Sequence, residues 1–427
     1  MYNLNKLILL IKQKKNFAWL ILGQIISLIF GFLIIKLITK IGSSQYGIYS
    51  LILTISALIS AIFVGPSEQG FVRYFFSFKG DDNKKRVLNV IYLFSSVVLC
   101  IILIFTLLSL YLKIVLDTNL IILGFFIFLF TFSNFFMSIF NLIQKRKLNT
   151  FIIIFEKILL TILLYFFQKT ANLNINTVLV SFCISVFVGI FLRITFINKL
   201  FNYSFFRDIK KISNREYIIY KYVFIFSIPL IIWGFSGWLA SNGDRWIIAH
   251  FTNLQTVGIY SLMMSLSSYL IATPIGVIGQ YFQPIIFENI NFNSLNIKSD
   301  KHINEFLRTC FLVIIIGILF SILFGKIVIT YIAINFNSFW YFLPLFTLSI
   351  GLFQLAQAYT IYGIIYEKPR VYLLPKILLG IISLILNIIG IYYFQIIGLT
   401  ISIILSNFFY LIMIWSVNKK LIYNINR

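Results

Sequence analysis

The chain has 427 residues, of which 60 % are hydrophobic and 11 % charged, against roughly 45–50 % and 25 % in soluble domains. That composition excludes a soluble globular protein and points to an all-α polytopic membrane protein. The net charge of +23 suggests nucleic acid until its distribution along the chain is read, and that distribution is a topology signal.

Residues 1–15 carry Lys6, Lys12, Lys14 and Lys15 with no small-residue cleavage site, so they read as a basic flank and not as a removable signal. A spanning helix needs about 20 mostly apolar residues. That rule predicts twelve spans: 17–38, 46–65, 87–112, 117–142, 150–168, 175–198, 217–241, 257–283, 306–325, 338–362, 370–390 and 395–417. Only Gly390 to Gln395 separates the last two, and parity together with Lys419 and Lys420 favours two spans over one long helix. With both termini cytoplasmic, 28 of the 35 Lys and Arg fall on the inner side and six on the outer, leaving Lys157 inside span 5. This is the positive-inside pattern, so the charge is expected to meet anionic lipid and no nucleic acid.

Gly47-Ile48-Tyr49-Ser50-Leu51 recurs unchanged as Gly258-Ile259-Tyr260-Ser261-Leu262, 211 positions later. At the same offset Gly23 meets Gly234, Ser56 meets Ser267, Gly65 meets Gly276 and Gln69 meets Gln280. Apolar bias does not generate matched glycines and a glutamine, so the chain reads as a duplication. The expected architecture is two six-helix lobes, 1–198 and 217–427, joined by a cytoplasmic linker at 199–216. Six spans per half send both lobes into the membrane in the same direction, which places a pseudo-two-fold along the membrane normal. The longest loops, 199–216 and 285–305, are too short for a globular domain, and no phosphate-binding glycine loop is present.

Charges inside a bilayer are expensive and mark cavities or partners. Glu156 and Lys157 lie within span 5; adjacent helical residues point about 100° apart, so they are not simple partners. Either they face a cavity or they form inter-helix pairs. Asp244 and Arg245 follow span 7, either in an outer turn or on a continuation of the helix that lines a cavity. Glu68 and Arg73 follow Pro66, as a cytoplasmic cap or on a continuing helix. Lys36 is close enough to the end of span 1 to snorkel. Arg193 reads as an inner-end topology charge, and His250 as an interfacial residue or a proton carrier. Pro229, Pro274, Pro284 and Pro344 interrupt spans. Cys100, Cys183 and Cys310 sit in apolar runs as small core residues. With two histidines and no metal-ligand spacing, neither an enzyme nor a metal or cofactor is expected.

Gly42-Ser43-Ser44-Gln45-Tyr46-Gly47-Ile48-Tyr49 resembles the Wzx-type polysaccharide flippases, as does Asp244-Arg245-Trp246-Ile247-Ile248 followed by Val257-Gly258-Ile259-Tyr260-Ser261. These flippases belong with the MATE exporters and MurJ in one superfamily, and the resemblance spans residues 15 to 417. It implies a V-shaped pair of lobes that moves an undecaprenyl-pyrophosphate-linked oligosaccharide, such as an O-antigen or capsule repeat unit, across a bacterial inner membrane. It further implies a cationic cavity, for which Arg73, Lys157, Arg245 and Lys36 are the matching candidates, and charge-assisted contacts suit a pyrophosphate. Glu68, Glu156 and Asp244 are the candidates for H⁺ or Na⁺ coupling. The drug-exporting relatives usually carry an acidic residue in the first helix and span 1 has none, which makes a MATE-like cation-coupled exporter the alternative. The expected partners are the lipid-linked oligosaccharide, membrane lipids, and a polymerase and chain-length regulator of the same pathway; the protein itself is expected to be a monomer.

Overall fold

The computed structural model describes residues 19, 22–70, 120–142, 145–170, 172–201, 214–288, 298–366 and 368–425. Within them every extended element is helical. Predicted span 3 (87–112), Arg73 and Cys100 lie outside the described residues.

In chain order the helices are α1 (Leu22–Ile41), α2 (Ser43–Gly70), α3 (Leu120–Leu142), α4 (Arg146–Lys169), α5 (Ile175–Phe201) and α6 (Asn214–Phe251). They continue with α7 (Leu254–Leu270), α8 (Ala272–Glu288), α9 (Lys298–Ile332), α10 (Phe342–Tyr359), α11 (Ile361–Ile365) and α12 (Leu373–Ile425). Among the described residues eight helices are long and apolar enough to cross a membrane, or nine if the bent α6 counts as one span. Leu323, Ile327 and Ile121 are among many large apolar side chains left exposed, as lipid contact requires and water would not allow. The chain is a multi-pass membrane protein.

Two compact units divide the chain. One holds residues 1–41 and 48–235; the other holds Gly42–Gly47 and 236–427. The dividing point at Phe235 falls inside α6, which begins in the first unit and ends in the second.

Several breaks differ from expectation. The segment read as either a turn or a continuing helix after residue 241 is helical throughout, because α6 runs on to Phe251. Its bend of 47° lies between Ile228 and Leu230, where Pro229 supplies no backbone donor. Pro344 does not interrupt a span: α10 starts at Phe342, and a first-turn proline loses no hydrogen bond. The loop expected at 285–305 is narrower, since α8 reaches Glu288 and α9 starts at Lys298. In α2, residues Ser60–Val64 form a π-turn, and Asn134 from α3 reaches Ser60 Oγ there (3.4 Å).

α12 is 53 residues long, roughly 80 Å if straight, far more than the ~30 Å hydrocarbon core. It is not straight. Gln395 has φ 53° and ψ −137°, and the chain reverses there. Ser402 Oγ donates to the Leu386 carbonyl at 2.7 Å, and a Cβ built on Gly390 would lie 2.6 Å from the Gly398 carbonyl oxygen. Residues 373–394 and 396–425 are therefore an antiparallel hairpin packed through glycine.

Candidate functional site

In the first unit α3, α4 and α5 enclose a buried ionic cluster. Arg193, wholly inaccessible to solvent, points its guanidinium at Glu156, with Nη1 to Oε1 at 2.6 Å and Nη2 to Oε2 at 3.3 Å. Nη1 also donates to Ser133 Oγ (3.3 Å) and Nε to Asn149 Oδ1 (3.4 Å). The fork geometry of arginine matches a carboxylate in this bidentate way. The reading of Arg193 as an inner-end topology charge is thus corrected. It is an inter-helix partner set too deep in α5 to snorkel. Gly189, one turn before it, makes room: a Cβ there would fall 1.5 Å from Glu156 Oε1.

Lys157 turns the other way on α4. Its ammonium donates to Ser27 Oγ (2.7 Å) and to the Ser27 carbonyl (2.9 Å) on α1. A neutral hydroxyl and a carbonyl leave its charge uncompensated by any carboxylate among these contacts. Glu68 and Lys36 are both half-buried and both engaged in further contacts; Lys36 sits near the C-terminal end of α1.

In the second unit the continuation of α6 brings a second cluster against α7. Asp244, 3 % exposed, accepts a short hydrogen bond from the Tyr260 hydroxyl and one from the Arg245 backbone N–H (2.8 Å). Arg245 reaches Asn242 Oδ1 (2.7 Å) and Ser261 Oγ (3.2 Å). Tyr260 also sets its ring edge-on to Phe346 of α10, with centroids 5.1 Å apart. Its repeat-mate Tyr49 stacks on Phe182 instead. The duplicated tyrosines serve different chemistry because Leu33 stands at the position in the first half that Asp244 holds in the second. His250 is exposed and lies edge-on to Phe251.

The sequence pattern also missed Lys376. Lying inside predicted span 11 (370–390) and counted only among the inner-side basic residues, it is 6 % exposed. Its ammonium lies 4.6 Å from the Phe353 ring centroid and 5.4 Å from that of Tyr410. Two aromatic faces return up to about 2 kcal/mol each when desolvated, against a desolvation penalty of several kcal/mol for a buried ion. The run Leu373-Leu374-Pro375-Lys376-Ile377-Leu378-Leu379 carried the signal, since a topology lysine seldom has apolar neighbours on both sides. Among the described residues no three His, Cys, Asp or Glu side chains gather as metal ligands.

This helical chain, with large apolar side chains exposed and buried charges set between its helices, shares its fold with solved membrane transporters. An inward-facing MATE-family multidrug resistance transporter of the MOP superfamily superposes with TM-score 0.69 at 13 % identity, covering 94 % of this chain and 95 % of the other. The lipid II flippase MurJ in an inward closed conformation gives TM-score 0.71 at 16 % identity, over 94 % of this chain and 86 % of MurJ. A mutant of the Vibrio cholerae MATE transporter VcmN gives 0.58 at 14 % identity, over 96 % and 98 %. At these identities the likeness is one of fold. The family of polysaccharide biosynthesis proteins matches residues 13–288, and the chain belongs to that family. No curated protein matches the sequence significantly.

Proposed function

We propose that this protein is a Wzx-type flippase. It carries an undecaprenyl-pyrophosphate-linked oligosaccharide, an O-antigen or capsule repeat unit, from the cytoplasmic to the outer leaflet of a bacterial inner membrane by alternating access, with both termini cytoplasmic. Membership of the polysaccharide biosynthesis family over residues 13–288 is the observation that carries this reading. The MurJ-like fold supports it, because that relative also moves a lipid-linked substrate.

Lys157 holds neutral partners in the contacts described above, leaving its positive charge for a pyrophosphate; Arg245, beside the Asp244 carboxylate, is the second member of the proposed cationic set. Arg73 and Lys36 complete the proposed cationic set. Asp244 and Glu68 are the proposed coupling carboxylates for H⁺ or Na⁺; Glu156 is tied to Arg193 and would need that pair to open. A monomer working beside a polymerase and a chain-length regulator is the proposed assembly.

Deleting the gene should trap lipid-linked repeat units on the cytoplasmic face, and plasmid-borne protein should release them. Normal arrival of repeat units at the outer leaflet without the protein would overturn the reading. The MATE-like fold favours a cation-coupled exporter of small amphipathic molecules as the second reading. Gradient-driven drug uptake by purified protein in vesicles, with no movement of lipid-linked saccharide, would select it.

A further inference from the structure

Three buried charged side chains in this protein, Glu156, Arg193 and Asp244, are matched by ionic or hydrogen-bonding partners from a neighbouring helix. Lys376 is not. Its stem passes beside α6, where a Cβ on Gly237 would sit 3.4 Å from the lysine Cε. One turn on, Gly380 closes against the Ser236 carbonyl, with 3.1 Å to a built Cβ. The lysine stem thus packs against α6 where α12 comes close to it. Gln357 Nε2 donates to the Tyr410 hydroxyl (3.2 Å) and so fixes one of the two rings beneath the ammonium.

We propose that Lys376, held by Phe353 and Tyr410, is an anion-accepting site of the second unit, one that takes a phosphate group. A polyprenyl-linked head group and a free phosphate anion share this chemistry, and only the first of these sources rests on the flippase reading. Three arguments converge on it. Aromatic faces favour the charged ammonium over the neutral amine, yet they offer no oxygen lone pair to its three N–H donors. Among the described residues no carboxylate answers the charge, so the surroundings attract an anion and repel a second cation. The lysine also stands one turn inside the start of α12, near one end of its predicted span, the part of a span that lies nearest a membrane surface.

The test uses the full-length protein in an uncharged detergent, titrated with farnesyl pyrophosphate, inorganic pyrophosphate and farnesol, and followed by ligand-induced thermal shift. Losing one charge-assisted contact should weaken pyrophosphate-dependent binding about tenfold or more in K376M, and leave K376R within about threefold of the parent. Farnesol should not distinguish the variants. Tight binding of inorganic pyrophosphate alone assigns a free anion, and a requirement for the prenyl chain assigns the lipid head group; either supports the site. Binding by K376M within about twofold of the parent overturns it. In the unmodified protein, reductive methylation of Lys376 followed by mass spectrometry should slow with farnesyl pyrophosphate and not with farnesol; equal labelling in both also overturns it. If K376M binds normally while gene deletion still blocks export, the site falls and the flippase reading stands. If binding depends on Lys376 while deletion leaves export intact, the reverse holds.

Discussion

Gly47 and Gly258, 211 positions apart in the sequence, press against each other reciprocally. A Cβ on Gly47 would lie 2.1 Å from the Leu254 carbonyl oxygen, and one on Gly258 would lie 2.0 Å from that of Ser43. Ser43 and Leu254 are themselves repeat-mates at the same offset. The starts of α2 and α7 therefore meet about a local two-fold axis, and only glycine lets the backbones approach so closely.

G47A and G258A should each destabilise the protein, by about 1–3 kcal/mol through overpacking, and by similar amounts because the contacts are equivalent. Gly276 has nothing within 4 Å of a built Cβ, so G276A should be neutral or stabilising through helix propensity. Unfolding in detergent micelles measures all three. Clearly unequal effects at Gly47 and Gly258 would argue against the two-fold contact.

Glu156→Gln leaves Arg193 buried beside a neutral group, and breaking a buried pair from one side costs about 3–5 kcal/mol. R193M should be as harmful, and the double variant E156Q/R193M less harmful than the two losses added together. Additive losses in this double-mutant cycle would show that the pair is not coupled. Gly189→Ala should resemble E156Q, because its methyl would occupy the place of the carboxylate.

At the second cluster, Tyr260→Phe removes a donor from a buried carboxylate, which costs about 1–3 kcal/mol. Asp244→Asn keeps an acceptor for the same hydroxyl and should be the milder change for stability. For transport the order should reverse, since D244N removes the proposed coupling charge and Y260F does not. Translocation rates of the two variants, set beside their unfolding midpoints, decide this.

Gln395 adopts φ 53° and ψ −137°, a region that suits glycine and strains other residues by about 1–3 kcal/mol. Q395G should raise the unfolding midpoint, with part of the gain offset by the freedom glycine adds to the unfolded chain. A lowered midpoint would mean that the glutamine side chain holds the hairpin.

Much of the scaffold was legible in one dimension. The separation of the last two spans followed from Gly390 to Gln395, where the chain turns back. The charges were harder to read. Arg193 looked like a topology residue because its partner lies 37 positions away, a spacing that no helix period or local motif reveals. Lys376 was hidden by its place among the inner-side basic residues near the start of span 11. Only the phase of α12 about its axis shows that its side chain points inward at Phe353 and Tyr410.

By itself the sequence determined the solvent, the helical class and the family, since hydrophobicity, charge and short motifs are properties of order along a chain. Only the tertiary structure decided which charges are matched. Helices apolar on every face carry no stripe to mark their buried side, so whether Glu156 meets Arg193, Asp244 meets Tyr260, or Lys376 meets two rings depends on helix rotation and packing.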